Sequence, residues 1–397
     1  MKRFLKIYWN LLVLALIAFS PELSISQGKT LSQDAEISIL TCGPGTELYS
    51  SFGHNAIRVF DLSSGIDEVY NYGTFNFSTP NFYYKFASGK LLYSLSVSTY
   101  NRFLFTYDIE KRWVKEQLLD LSEPDKQDFY KFLQINRLPE NRDYQYDFLF
   151  DNCATKLPEV LTQVMPNRLQ FSDEHLESKK SFRDLIQENL SYNTWASFGI
   201  DLALGAVIDR EAKPYEYMFL PNYVRLQLEN TTLDNRPLVS KSIDVLKFPE
   251  NRPETIFSLS PIFWFVLLLI FSCFITYKDY KKVCRNRWFD FILFLITGLA
   301  GCLIFFLWFM TDHSSTAQNY NILWAMPLNL FIAFQFLKKK NIASWVYNYL
   351  LILIFLIFLV VVLWLFRYQV FSPLLVFILA ILVLRYSYLY RLNRHKQ

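Results

Sequence analysis

Apolar and polar residues alternate along the first third of the chain, and long unbroken apolar runs fill its last third. Alternation predicts half-buried strands over 36–41, 55–61, 68–72, 91–97 and 113–119, with Ser63-Ser64-Gly65 as the turn between the second and third. Ser122-Glu123-Pro124 then reads as a helix start, Ser as N-cap and Pro in the first turn, for a helix through Leu133. Further helices are expected from Asp151-Asn152 onward and over 182–190, 195–208 and 215–228. The pattern describes an α+β domain, sheet first and helices later. It contains no internal repeat.

The apolar runs cover 256–276, 288–310, 322–337, 342–366 and 370–390. Spanning a bilayer takes ~20 residues, so four runs are long enough and the third is marginal; five spans are expected. Lys278, Lys281, Lys282, Arg285 and Arg287 fill the first loop and Lys338, Lys339 and Lys340 the third. Loop 311–321 has no Lys or Arg, the fourth loop has only Arg367, and the tail is basic again with Arg391, Arg394 and Lys396. The positive-inside rule therefore puts the basic loops in the cytoplasm and residues 27–255 outside it. At the start of the chain, Lys2, Arg3 and Lys6 precede the apolar run 11–19 and the small residues Ser24-Ile25-Ser26, which predicts a signal peptide over 1–26. An uncleaved anchor is the alternative. The expected organisation is a signal peptide (1–26), an extracytoplasmic domain (27–255) and an all-α membrane domain (256–397).

Composition agrees with a membrane component: 52% of the 397 residues are hydrophobic and 19% charged. The net charge of +4 averages two unlike regions, since residues 1–255 hold 27 Lys/Arg and 33 Asp/Glu and the remainder 13 and 3. Without the three basic residues near the N-terminus the exported part is acidic, which excludes a nucleic-acid footprint. No His-Glu-x-x-His or Cys-x-x-Cys pattern is present, so no metal site and no cofactor are expected.

Of the five cysteines, only Cys42 and Cys153 fall in the exported part. A disulfide between them is one reading. The other starts from Phe150-Asp151-Asn152-Cys153-Ala154-Thr155, where Cys153 opens a helix. Free N–H groups and the positive helix end lower a thiol pKa and favour a thiolate nucleophile. The same N–H groups would stabilise a tetrahedral oxyanion. Such a nucleophile needs a histidine, and Ser51-Phe52-Gly53-His54 supplies one at a Gly turn entering a strand. His175, in a polar run, reads as a surface residue.

A strand-borne His preceding an Asn-Cys at a helix start resembles the circularly permuted papain-like enzymes, the group that includes lecithin:retinol acyltransferase and NlpC-type proteins. Ser51-Phe52-Gly53-His54, Tyr70-Asn71-Tyr72-Gly73-Thr74-Phe75, Tyr146-Asp147-Phe148-Leu149-Phe150-Asp151-Asn152-Cys153-Ala154-Thr155 and Phe219-Leu220-Pro221 more closely resemble the Lnb family of Bacteroidota membrane acyltransferases. The resemblance implies a permuted papain-like periplasmic domain on an inner-membrane anchor. It implies movement of a phospholipid acyl chain to the α-amine of a diacylglyceryl apolipoprotein, with Cys153 as nucleophile and His54 as base. Water as acceptor would instead make a phospholipase, thioesterase or cell-wall amidase. A non-enzymatic envelope protein is a third reading, against which the presence of both Cys153 and His54 argues.

A third polar group should orient the histidine. Asn71 is the better-placed candidate and Asp61, at the end of the His54 strand, the runner-up. Loop 311–321, which contains Asp312, His313 and Asn319, lies on the same side of the membrane as the exported domain, and His313 and Asn319 are candidates for lipid-substrate binding. An ordinary polar loop with Trp324 in the interfacial belt is the competing reading. The cluster Tyr70, Tyr72, Phe75, Phe77, Phe82, Tyr83, Tyr84 and Phe86 fits either a lipid contact or the core.

Overall fold

A computed structural model describes residues 30–250, 256–339 and 342–394. The expected signal peptide lies outside these residues. The strands are β1 (Glu36–Cys42), β2 (His54–Asp61), β3 (Ile66–Thr74), β4 (Leu92–Thr99), β5 (Val114–Leu119), β6 (Asp143–Gln145), β7 (Leu169–Phe171), β8 (Thr231–Leu233), β9 (Arg236–Pro237) and β10 (Val239–Leu246). Seven of them form an antiparallel sheet in the order β10-β5-β1-β2-β3-β4-β6, and β7-β8-β9 form a small second sheet. The five strands expected from alternation are present within a few residues. β10 was not expected: most of its side chains are exposed and it carries no buried stripe, so nothing marks it except its partner β5.

The helices of this domain are α1 (Phe82–Ala87), α2 (Tyr100–Ile109), α3 (Glu123–Asn136), α4 (Lys156–Val164), α5 (Phe182–Gln187), α6 (Trp195–Ala203) and α7 (Pro221–Glu229). Ser122 caps α3 as expected, its hydroxyl accepting from the Asp125 N–H. Period-two alternation puts Ile37, Ile39, Ile57, Val59 and Tyr70 on one face of the sheet, where α3, α4 and α7 cover them with Phe129, Leu133, Leu157, Leu161 and Val224. The opposite face presents Leu40, Cys42, Ala56 and Val69 to Phe103 and Tyr107 of α2. Since helices interleave with the strands and β10 returns to the sheet last, the order is not sheet first and helices later.

The C-terminal region holds α8 (Pro261–Lys282), α9 (Arg287–Phe309), α10 (Asn329–Phe336), α11 (Ser344–Leu365) and α12 (Leu375–Arg394). Among the described residues four helices are long and apolar enough to cross a membrane: α8, α9, α11 and α12. The third expected span, 322–337, is different. It is a 3₁₀ turn, an irregular stretch around Pro327 and the eight-residue α10, whose helical rise of ~12 Å is well short of the ~30 Å hydrocarbon core. One end of this broken segment lies against α6, where the Asn319 side-chain amide donates to the Leu202 and Ala203 carbonyls. The other end is held by Arg285 and Arg287, which donate to the carbonyls of Phe336, Lys338 and Leu337. Asn329 is fully buried, its side-chain amide donating to the Thr297 hydroxyl and accepting from that of Tyr349.

The two regions are stitched together along loop 311–321. Gly205 N–H donates to the Ser315 carbonyl at 3.0 Å and Ala206 N–H to that of Gln318 at 3.0 Å. A Cβ on Gly205 would sit 1.8 Å from the Ala317 oxygen, so only glycine permits this approach. Buried Arg183 organises the same seam: it binds Asp209 at 2.6 Å, Asp201 at 3.1 Å and the Leu204 and Gly205 carbonyls, and Asp209 in turn accepts from Val370 N–H between α11 and α12.

Candidate active site

His54 opens β2 and Asn71 lies in β3. The register that pairs Ile57 with Tyr70 leaves Asn71 diagonal to His54, and the Asn71 Oδ1 lies 2.6 Å from His54 Nε2. The amide oxygen only accepts, so the proton of the neutral ring sits on Nε2 and Nδ1 keeps a free lone pair. Asp61 is at the far end of the same strand, ~23 Å away at ~3.3 Å per residue. Its carboxylate is taken by Ser32 and by the turn N–H groups of Ser63 and Ser64. It does not touch His54.

Cys153 arrives from the turn that opens α4. That helix begins at Lys156, three residues later than the Asn-Cys cap suggests, because the Asn152 side chain replaces the first helical hydrogen bonds. Asn152 Oδ1 accepts from the N–H groups of Ala154 at 2.7 Å and Thr155 at 2.9 Å, and its amide donates to the carbonyls of Phe148 and Phe219. The bond to Phe219 is what joins the Phe219-Leu220-Pro221 motif to the site. Gly73, at a φ of +86°, closes it from β3: a Cβ there would come within 3.3 Å of the Cys153 Cβ.

The Cys153 thiol and the His54 ring are hydrogen-bonded partners. Burial opposes charge on both groups, yet each stabilises the charge of the other. The Cys153 pKa is held below its ordinary value by the His54 cation and by the Asn55 N–H, and the His54 pKa is held above its own by Cys153 and Asn71. The arrangement favours a thiolate–imidazolium pair. Cys42 and Cys153 are both free. Cys42 is buried beside Tyr107, and burial pushes its thiol up to about 12.

Tyr144 carries no signature in the sequence, since its strand β6 is only three residues long. Its hydroxyl is buried beside Gly73 and donates to no acceptor. Two of the N–H groups expected to face the reacting carbonyl, those of Ala154 and Thr155, are occupied by Asn152. Besides the Asn55 N–H, the donors near the sulfur are the Cys153 N–H and the Tyr144 hydroxyl.

The other two candidates lie in the seam, away from the Cys153, His54 and Asn71 cluster. Asn319 is fully buried with both ends of its amide engaged, donating to Leu202 and Ala203 and accepting from Asn321. His313 is half-buried, its ring packed over Gly89. Its neighbour Ser314 reaches toward the site and donates to Asp147 at 2.5 Å, six residues before Cys153. Trp324 is buried and bonded to Asn321, not placed in an interfacial belt. Among the described residues no group of three or more His, Cys, Asp or Glu could hold a metal ion.

Residues 25–188 match the family model described as the Lnb N-terminal periplasmic domain, and residues 252–397 match the one described as the Lnb transmembrane domain. No curated protein and no solved structure matches the chain.

Proposed function

We propose, from the premise that this chain belongs to the Lnb family, that it is a membrane-bound cysteine acyltransferase of lipoproteins whose periplasmic domain has the permuted papain-like arrangement. The observation that carries the reading is the Cys153, His54 and Asn71 cluster, with His54 bonded on one side to the thiol and on the other to Asn71 at 2.6 Å. In this reading the broken segment 322–337 is a fifth crossing of the inner membrane, the signal peptide delivers residues 27–255 to the periplasm, and the basic loops remain cytoplasmic.

The Cys153 thiolate attacks the ester carbonyl of a phospholipid. The carbon–sulfur bond forms, the oxyanion is met by the Cys153 N–H and the Tyr144 hydroxyl, and the glycerol oxygen leaves with the proton from His54 as a lysophospholipid. The thioester then meets the α-amine of an S-diacylglyceryl cysteine. Neutral His54 takes the proton of the attacking amine, the carbon–nitrogen bond forms, and the thiolate–imidazolium pair is restored. A thioester yields to an amine far more readily than an oxygen ester does, which gives the covalent step its purpose. His313 and Asn319 act by shaping the lipid side of the site, Asn319 through the position of its loop.

The test uses the full chain in phospholipid nanodiscs with a synthetic S-diacylglyceryl-cysteinyl peptide. Mass spectrometry should find one acyl group gained on the peptide α-amine for each lysophospholipid released, and neither product with Cys153→Ala. Free fatty acid with an unchanged peptide would establish hydrolysis instead.

A further inference from the structure

The aromatic cluster divides in the structure. Tyr70, Tyr72 and Phe82 are buried, but Phe77, Tyr83, Tyr84 and Phe86 on and before α1 are 52–83% exposed. That is a large apolar surface to leave in water. Where it sits explains it. The Ser88 carbonyl, immediately after α1, accepts from Asp312 N–H at 2.9 Å, and Gly89 lies against His313. Loop 311–321 follows the end of α9, whose last residue Phe309 and C-cap Met310 expose their side chains. The α1 aromatics therefore stand at the level where a spanning helix leaves the bilayer, with Lys85 and Lys90 beside them. Aromatics mixed with lysines at that depth are what an interfacial segment presents to acyl chains and phosphates.

A chain of packed rings also connects this surface with the site. Phe77 contacts Phe75 at 5.0 Å between ring centroids, Phe75 contacts Tyr93 at 5.2 Å, and Tyr93 stacks on Tyr146 at 4.2 Å. Tyr146 and Tyr144 pack together on the cluster of Phe82, Leu91 and Tyr93, and Tyr144 reaches Gly73, where Cys153 lies. We infer that α1 and its flanks dip into the periplasmic leaflet and that this aromatic track is the route by which the acyl chain of a bilayer phospholipid reaches Cys153. The inference names the donor subsite of the acyltransferase proposed above and rests on that reading for its final step.

The test separates the two. Benzoylphenylalanine is placed at position 77, 83 or 62 in the full chain carrying Cys153→Ala, and the protein is reconstituted in nanodiscs of phosphatidylethanolamine with radiolabelled acyl chains. Leu62, exposed at the opposite end of β2, is the control. Irradiation should label positions 77 and 83 about tenfold more than 62, as for side chains held in lipid. Equal labelling at all three sites would overturn the inference, and because this chain cannot be acylated the result is independent of the chemistry. In the active chain, Phe77→Asp with Tyr83→Asp should slow acylation of Cys153 by phosphatidylethanolamine about tenfold and leave acylation by p-nitrophenyl acetate unchanged. Unchanged phospholipid acylation, or equal loss with both donors, would refute the route. Absence of acylation by either donor in the unaltered chain would refute the acyltransferase reading and leave the lipid contact to be decided by photolabelling.

Discussion

Replacing Asn71 tests whether the His54 contact is part of the chemistry or merely part of the sheet. The 2.6 Å bond to Asn71 Oδ1 is donated by Nε2 of a ring that carries positive charge in the thiolate–imidazolium pair. A hydrogen bond to a charged group nets ~1.5–3 kcal/mol, so Asn71→Ala should slow acylation of Cys153 between ~10-fold and ~150-fold. The pH profile supplies the sharper readout. Asn71 helps hold the His54 pKa above its ordinary value, so without it the imidazolium deprotonates at lower pH and the alkaline limb moves down. At the acidic limb the imidazolium is present with or without Asn71 and still holds the Cys153 pKa below its ordinary value, so that limb stays in place. The active window should narrow from the alkaline side. Asn71→Asp places a full negative charge at the same oxygen and should move the alkaline limb up instead. The assay is the rate of Cys153 acylation by a soluble ester, measured across the pH range and checked by iodoacetamide alkylation. A slower Asn71→Ala chain with both limbs unmoved would assign Asn71 a purely structural role and refute this reasoning.

Three other perturbations probe the thiol, the oxyanion donor and the seam. Iodoacetamide at about pH 8 should modify Cys153 without reductant and leave Cys42 intact, since a thiol pushed up to about 12 is thiolate in only about one molecule in ten thousand there; labelling that requires reductant would contradict two free thiols. Tyr144→Phe should cut acyl transfer roughly a hundredfold, as loss of an oxyanion donor does, while iodoacetamide alkylation of Cys153, which forms no oxyanion, keeps its rate; parallel loss of both would assign the hydroxyl to packing. Gly205→Ala forces a Cβ to within 1.8 Å of the Ala317 oxygen, an overpacking that costs ~1–3 kcal/mol, and should lower transfer from phospholipid with Cys153 alkylation preserved; wild-type transfer would show that the seam is dispensable.

What could be read from the chain was whatever left a local imprint. Strands β1 to β5 alternate because one face packs on α3, α4 and α7, and Ser122 announces α3 by its capping chemistry. His54, Asn71 and Cys153 stood out because a Gly turn, a strand and an Asn-Cys cap each have a short signature. Interactions at long range left none. The 195–208 helix stops at Ala203 because Gly205 must meet Ala317, over a hundred residues away. The regular span expected at 322–337 is broken at Pro327, and the polar groups on either side find partners in α6 and in Tyr349 that hydropathy cannot register. Tyr144 sits in a three-residue strand, and Arg183 reads as one more surface cation until Asp201, Asp209 and two carbonyls surround it.

These long-range contacts converge on one consequence for the acyltransferase proposed above. Asp147 accepts from the N–H groups of Leu149 and Phe150 through one oxygen and from Ser314 through the other, so a single carboxylate shapes the turn leading to Cys153 and binds it to the membrane loop. Ser88 binds the same loop at Asp312, and α6 with the residues after it binds it through Leu202, Ala203, Gly205 and Ala206. Three separate parts of the exported domain are thus fixed against one stretch of eleven residues, 311–321. A flexible tether would let the thiolate sample many heights above the bilayer, and only a small fraction would meet an ester carbonyl just beneath the headgroups. Held at one height, the proposed nucleophile would need the lipid only to slide sideways, and the orientational cost of meeting a membrane substrate would be met once, in folding. The helical region on this view sets the position of the chemistry as well as keeping it in the membrane.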